Sequence, residues 1–320
     1  MLIQTFFSLF AIANIPDSTM NTIFRDYVKT YNKNYNFSEY NTRYHIFSNN
    51  YNYILYKNNI NNFTLGLNNF TDMSKSEFKT NYLNGLVLNN KSNFDFVYYN
   101  RSNSSIPSSI DWRAAGLVTN VKDQGQCGSC WAFSTTGTVE GQHAKVKNNL
   151  VSLSEQNLVD CSSSNYGCEG GWPSLAMGYI KQNGVDTEDS YGYVGIDEQC
   201  NYNVSHVGSF VNNTVLIQRN MSDFYHALGT VGPISIAIDA EDDFQFYKDG
   251  IYSSTMCNSD FGSLNHAVLA VGYSNFNGTN FIIVKNSWGS SWGMDGYIYM
   301  STTIDNMCGM ATNSSYPLIL

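Results

Sequence analysis

Apolar residues recur at helical spacing through residues 18–62, which therefore read as helix. Ser38 is placed to cap a run in which Tyr40, Tyr44, Phe47, Tyr51, Ile54 and Leu55 share one face, and Glu39 and Arg43, four apart, can pair on its surface. Residues 63–70 alternate instead, with Phe63, Leu65 and Leu67 on one side, as a strand does. Residues 86–105 lose periodicity and become rich in Asn and Ser, the composition of an exposed linker. A new unit begins near Ile106-Pro107. Residues 131–147 predict a buried helix, although Gly137 and Gly141 each weaken it by about 1 kcal/mol relative to Ala. A second helix follows, capped by Ser152 or Ser154, with Leu153, Leu158 and Val159 turned inward. From about residue 207 short apolar runs take over, at Pro233–Ile238, His266–Val271 and Asn280–Lys285, and these predict strands. A helical half followed by a β half leaves a natural cleft between them.

Charge changes this picture. Residues 1–105 carry nine Lys/Arg against six Asp/Glu, whereas residues 106–320 carry eight against twenty, so a front piece of +3 is joined to a body of −12. Such asymmetry suggests that the two parts bind each other. The overall charge of −9 argues against a nucleic-acid partner. Met1–Ala13 is apolar, too short to span a bilayer, and ends in Ala11-Ile12-Ala13, the pattern of a cleaved secretory leader that lacks only its basic start. No other run is long enough for a membrane anchor. Asn-x-Ser/Thr sequons at Asn36, Asn62, Asn100, Asn203 and Asn277 suit that route, each weakly in so asparagine-rich a chain.

The chemistry centres on Gln124-Gly125-Gln126-Cys127-Gly128-Ser129-Cys130-Trp131. Cys130 follows a small-residue turn where a helix begins, and a thiol at a helix start loses its proton more easily. Gln124 offers an amide donor for an oxyanion. All seven cysteines lie after residue 110, and an odd count in an oxidising compartment leaves one thiol to explain. A hydrolase needs a base beside that thiol and a group that orients the base. Of five histidines, His45 lies in the front helix, His143 is too far down the helix from Cys130, and His206 and His226 have polar, surface-like surroundings. His266 opens an apolar strand, and Asn286-Ser287-Trp288-Gly289 follows twenty residues on. An asparagine carbonyl can fix the imidazole tautomer, and Trp288 can keep water off that bond.

Cys130, His266 136 residues on, and Asn286 156 residues on, within this local sequence, resemble the papain family of cysteine proteases, and in particular a cathepsin L-like proenzyme. The resemblance implies an α+β fold, with a helical left domain, a β-barrel-like right domain and a cleft between, preceded by a helical propeptide. It implies a signal peptide at 1–13, an inhibitory propeptide at 14–105 and a peptidase domain at 106–320. Glu39, Arg43, Phe47, Asn50, Ile54 and Asn58 match one propeptide motif, and Gly66, Asn68, Phe70 and Asp72 match the second. Such a prosegment folds on the β half and runs backwards through the cleft. By the same resemblance Cys130 is the nucleophile, His266 the acid/base and Asn286 its orienting residue, and Gln124 shares the oxyanion hole with the Cys130 amide. Gly171 pairs with extended substrate, Trp288 shields the site, and Trp172, Pro173, Ala237, Leu264, Ala267 and Asn313 wall the pocket for the side chain two before the scissile bond. That pocket favours a hydrophobic residue, with polar Asn313 at its floor. The implied disulfides are Cys127–Cys168, Cys161–Cys200 and Cys257–Cys308, one of many connectivities that six cysteines allow.

The expected activity is endopeptidase action on protein and peptide substrates by a monomer without metal or cofactor, activated in acid and delivered to a lysosome-like compartment or secreted. Other readings are weaker. Cys127-x-x-Cys130 as a redox pair or half a zinc site lacks a second close Cys/His pair. An exopeptidase would carry a cleft-blocking insert, and a non-catalytic binding protein on this scaffold would have lost the nucleophile or base; neither feature is present.

Overall fold

The computed structural model describes residues 15–87 and 95–319, so the leader predicted at 1–13 lies outside the described residues. The front helical run is two helices, α1 (Asp17–Thr30) and α2 (Phe37–Asn58), separated by a turn in which Asn32 takes φ 49°. The aromatic pattern hides this break because Tyr31 and Tyr35 pack into the same cluster as the helices around Phe24 and Phe47. Asn36, rather than Ser38, caps α2: its side-chain oxygen accepts the Glu39 amide at 2.9 Å, and Ser38 Oγ donates to it at 2.7 Å. The strand predicted at 63–70 shortens to β1 (Thr64–Leu65), with Phe63 and Leu65 buried. A third helix, α3 (Lys75–Tyr82), begins at a capping box formed by Ser74 and Glu77. The stretch predicted as exposed linker is not all free: β2 (Val97–Tyr98) joins the main sheet and Tyr99 is buried.

The body contains β3 (Ile110–Asp111), then α4 (Cys130–Lys147), α5 (Glu155–Cys161) and α6 (Pro173–Asn183). Ser154 caps α5 by accepting the Asn157 amide at 2.9 Å. β4 (Val185–Asp186) and β5 (Val207–Ser209) pair by themselves. The remaining elements are β6 (Asn213–Ile217), α7 (Met221–Thr230), β7 (Ile234–Ile238), β8 (Tyr247–Asp249), β9 (Ile251–Tyr252), β10 (His266–Phe276), β11 (Thr279–Lys285), β12 (Tyr297–Ser301) and β13 (Ser314–Leu318). The main sheet runs β2-β6-β13-β7-β10-β11-β12-β9, with β3 also on β10. Among the described residues, the β2–β6 and β12–β9 pairs of this sheet are parallel and its other strand pairs antiparallel. β10 and β11 meet in a two-residue turn, Asn277-Gly278, whose φ values of 50° and 84° are both positive, as a type I′ hairpin requires.

Helix α4 lies against this sheet and is buried from Cys130 through Gln142. Its glycines explain how. A Cβ on Gly137 would come within 2.8 Å of Leu269 Cδ2, and one on Gly141 within 2.7 Å of Pro233 Cγ, so the helix gives up propensity for close approach. Lys122 Nζ ties the helical half together, reaching Glu155 at 2.7 Å, the Leu153 carbonyl at 2.8 Å and Glu140 at 3.3 Å. Burial pushes the Glu155 carboxyl up and the Lys285 ammonium down; burial acts the same way on Glu140, but Lys122 and Lys285 outweigh it and hold that carboxyl low.

One hydrophobic core fills the helical half around Trp131, Val139, Leu158 and Ile180. The larger core is shared. Ile54, Phe63, Leu65, Phe70, Phe78 and Tyr82 from the front segment join Phe244, Phe246, Trp288 and Ile298 of the β half. β1 also pairs with β8, so the front piece adds both apolar surface and backbone to the body. Disulfides join Cys127–Cys168, Cys161–Cys200 and Cys257–Cys308, and Cys130 is the free thiol. Among the described residues no helix is long and apolar enough to cross a membrane.

Candidate active site

Cys130 is the first residue of α4, at the end where unsatisfied N–H groups concentrate positive potential. The preceding turn is tight: Gly128 N–H donates to the Cys168 carbonyl at 2.9 Å, and a Cβ on Gly128 would stand 2.5 Å from that oxygen. Across the cleft His266 opens β10. Its Nε2 donates to Asn286 Oδ1 at 2.8 Å, and its Nδ1 has no hydrogen-bond partner among the described residues. The next residue's amide, Ala267 N–H, donates to Cys130 Sγ at 3.4 Å, so the strand that carries the imidazole touches the thiol. Trp288 stacks on the His266 ring at 4.7 Å.

Gln124 is fully buried and held at both ends. Its Nε2 donates to the Cys127 carbonyl at 3.0 Å, its Oε1 accepts from Ser287 Oγ at 2.7 Å, and its backbone amide donates to the Ser287 carbonyl at 2.8 Å. A primary amide has a second N–H to offer. Burial pushes the Cys130 thiol up to about 12 and the His266 imidazole down to about 4, although the Asn286 bond works in the opposite direction on the latter. Sulfur and imidazole are therefore both neutral while covered.

The cover is the segment after α3. A Cβ on Gly85 would lie 2.4 Å from Cys130 Sγ and 2.9 Å from the Gly128 carbonyl oxygen. Gly171 N–H donates to the Gly85 carbonyl at 3.0 Å, and Val87 N–H donates to the Gly171 carbonyl at 3.2 Å, a parallel bridge. Leu86 packs with Phe96 against Trp172, Leu175, Ala237 and Leu264. The structure thus gathers Trp172, Ala237 and Leu264 in one apolar cluster. Pro173 begins α6 directly behind Trp172, and half-buried Asn313 accepts the Ala237 amide at its carbonyl, 3.1 Å away. Ala267 borders a small cavity of about 20 Å³ with Phe133 and Ser134.

The front-segment motif residues act as a set. Arg43 reaches Glu77 at 2.9 Å, Glu39 at 3.3 Å and the Asp72 carbonyl at 3.0 Å. Asn50 Nδ2 donates to the carbonyls of Thr71 and Met73, and Asn58 brackets Leu65 through both its amide and its carbonyl. Phe47 and Ile54 are buried. Gly66 N–H donates to the Phe246 carbonyl, and Asn68 Nδ2 donates to the Gln245 carbonyl at 2.7 Å. Asp72 accepts from Tyr27 Oη at 2.7 Å, Lys33 Nζ at 3.0 Å and Tyr35 Oη. Phe70, Phe78 and Tyr82 surround Trp288 with ring centroids 5.9, 5.1 and 6.1 Å away.

Sequence reasoning overlooks several of these. Ser287 orients Gln124, and Phe78, Tyr82, Gly85 and Leu86 cover the site; the Ser74…Glu77 capping box is the one local signal that a helix leads there. His226 is a correction: it is buried rather than at the surface, with Nδ1 2.5 Å from Tyr99 Oη and Nε2 3.0 Å from the Ser104 carbonyl. Helix α7 turns it inward beneath the trailing front segment, so its polar sequence neighbours mislead. No group of three or more His, Cys, Asp or Glu among the described residues is arranged to hold a metal ion.

The chain is similar to known proteins. Residues 106–318 match the papain family cysteine protease model, and residues 24–78 match the cathepsin propeptide inhibitor domain. The chain therefore belongs to the papain family of cysteine proteases. It is 46% identical over 260 residues to a cathepsin L-like proteinase of Fasciola hepatica, covering 80% of this chain and 79% of that one. It is also 46% identical over 264 residues to cathepsin L2 of Homo sapiens, with 80% and 78% covered. Among solved structures, digestive procathepsin L2 proteinase from Tenebrio molitor larval midgut superposes with a TM-score of 0.88 at 35% identity, covering 94% of this chain and 100% of that one. The protein is a cathepsin L-like cysteine protease proenzyme with an inhibitory prosegment.

Proposed function

We propose that this proenzyme matures into an endopeptidase in which Cys130 attacks the peptide carbonyl, His266 carries the proton and Asn286 holds the imidazole. The observation that carries the reading is the His266 Nε2–Asn286 Oδ1 bond of 2.8 Å, which leaves Nδ1 unpartnered among the described residues, while Cys130 Sγ accepts the amide of Ala267, the next residue of the same strand, at 3.4 Å. When the prosegment leaves, water re-enters and the helix start favours the thiolate. His266 takes the thiol proton, and the thiolate adds to the carbonyl carbon. The oxyanion is met by Gln124 Nε2 and the Cys130 amide. His266 then protonates the leaving amine as the C–N bond breaks. Water, deprotonated by the same imidazole, adds to the thioester, and the thiol leaves with the carboxylic acid.

Leu86 seated among Trp172, Ala237 and Leu264 supports a hydrophobic residue two before the scissile bond. The parallel bridge at Gly171 supports a prosegment that crosses the cleft against the substrate's direction and escapes cleavage. Acid maturation fits the charge split of +3 in residues 1–105 against −12 in residues 106–320 and the contact surface, where Lys57 and Lys75 of the prosegment pair with Asp243 and Asp242 of the body, since acid weakens attraction between a basic piece and an acidic one. Secretory delivery, through the predicted leader, to a lysosome-like compartment or the exterior completes the reading.

The test compares acid-treated wild type with Cys130→Ser, His266→Ala and Asn286→Ala on a peptide library, with titration by a thiol-directed epoxide. Wild type is expected to cleave internally after a hydrophobic-then-any pair and to bind one epoxide per chain. Turnover by Cys130→Ser, or release of terminal residues alone, overturns the proposal.

A further inference from the structure

The β10–β11 hairpin carries a feature the peptidase reading does not use. Its turn is Phe276-Asn277-Gly278-Thr279, a sequon in which Phe276 and Thr279 are the cross-strand pair and Asn277-Gly278 form the turn. Asn275 fixes the tip: its Oδ1 accepts the Gly278 amide at 3.0 Å and its Nδ2 donates to Asn280 at 2.8 Å. The Asn277 side chain is exposed and makes no hydrogen bond to the described residues. Phe276 is 64% exposed, a large apolar ring left open to solvent by the described residues. Phe276, Asn277, Thr279 and Phe281 line one open depression of about 590 Å³, and Phe281 stacks on Tyr299 at 4.8 Å on its floor. Asn62, Asp249, Ser301 and Thr303 supply its polar rim.

We propose that Asn277 is an N-glycosylation site and that the first sugar of its glycan lies on Phe276 at the mouth of this depression. In the transfer, the Asn277 Nδ2 atom bonds to C1 of the first N-acetylglucosamine of a lipid-linked diphosphate oligosaccharide. The C1–O bond to phosphate breaks, the lipid diphosphate leaves with the bonding pair, and the amide gives up one proton. A pyranose has an apolar C–H face and a hydroxyl-bearing edge. The ring of Phe276 suits the first and the polar rim suits the second. The turn fixes the Asn277 backbone before the sugar arrives, so little ordering is left to oppose the contact.

Three other sequons lack this combination. Asn62 stands on the far wall of the same depression, but its aromatic neighbour Phe63 is buried and the residue belongs to the prosegment. Asn36 and Asn203 use their side-chain oxygens to cap helices. The proposal rests on passage through the secretory pathway and on no property of the Cys130 site, so peptidase activity after maturation reports folding independently.

The experiment secretes the full chain from a eukaryotic host that N-glycosylates. The Asn277 peptide is expected to carry N-acetylglucosamine after endoglycosidase trimming and to lose it in Thr279→Ala. A thermodynamic cycle then separates attachment from contact. Asn277→Gln is expected to lower Tm by about 2–4 °C with Phe276 in place, and by less than about 1 °C in a Phe276→Ser background that is still glycosylated. The same cycle on unglycosylated bacterial protein should show no such coupling. Secreted protein that bears glycan on other sequons with Asn277 bare overturns the site. Equal Tm losses in both backgrounds overturn the Phe276 contact.

Discussion

The two parts of the prosegment hold the enzyme in different ways. Residues 17–82 form three helices with a core of their own around Phe24 and Phe47, and they share a second core with the β half. Residues 83–87 have no regular structure beyond a single bridge, yet they lie on Cys130 and Gly171. Anchoring and blocking are thus assigned to separate segments. The first resembles a domain interface, rich in buried aromatics. The second resembles a bound peptide, held by backbone hydrogen bonds and one apolar side chain.

If that division is real, damage to the anchor releases the block, whereas damage to the block leaves the anchor intact. Asp72→Ala is expected to have the largest effect. It strands the hydroxyls of Tyr27 and Tyr35 and leaves Lys33 only the Asn69 carbonyl, a loss of about 3–5 kcal/mol for a buried charge network. Hydrolysis of a small peptide by unprocessed proenzyme at neutral pH should rise at least about 10²-fold, and limited proteolysis should open α1 and α2. A well-folded prosegment in this variant would undo the assignment.

Gly85→Val comes next. Its Cβ must move from a position 2.4 Å from Sγ and 2.9 Å from a backbone oxygen, so the tail lifts and leak activity rises about tenfold, at about 1.4 kcal/mol. The melting of the front helices should not change. If both change together, anchor and block are one unit.

Acid gives a graded version. Burial would raise the Glu77 carboxyl, but the Ser74 backbone and side chain and then the Arg43 guanidinium outweigh it and hold it below its ordinary 4.5. A depressed carboxyl contributes stability that is complete above its unfolded value and lost as pH falls through its folded one. The anchor should therefore loosen progressively below about pH 4.5, with a several-fold weaker response in Glu77→Gln, followed by the rate of propeptide release. Lys75→Ala sits at the bottom of the scale. Both partners of its pair with Asp242 are half exposed, so leak should change less than about threefold.

Local signals are legible in the sequence and distant ones are not. The α4 helix and the β7, β10 and β11 strands follow from periodicity within a few residues, and cap chemistry narrows the start of α5 to Ser152 or Ser154, of which the structure uses Ser154. The break between α1 and α2 does not, because Tyr31 and Tyr35 continue the aromatic pattern through a turn set by Asn32 and Asn36. The Cys130, His266 and Asn286 residue types stand out, but Ser287 looks like any serine until Gln124 is seen 2.7 Å away. His226 misled for the same reason: its partner, Tyr99, is 127 residues earlier. Gly85 carried no mark of its role, since a glycine chosen for what approaches it is legible only once the neighbour is known.

The odd cysteine acquires a further meaning from the segment above it. A disulfide exchanges only when a thiolate reaches a sulfur along an open line, and Cys130 has neither a ready negative charge nor an open line while Gly85 rests on it. The segment that covers the nucleophile therefore also keeps the seventh sulfur out of exchange with the six that are paired.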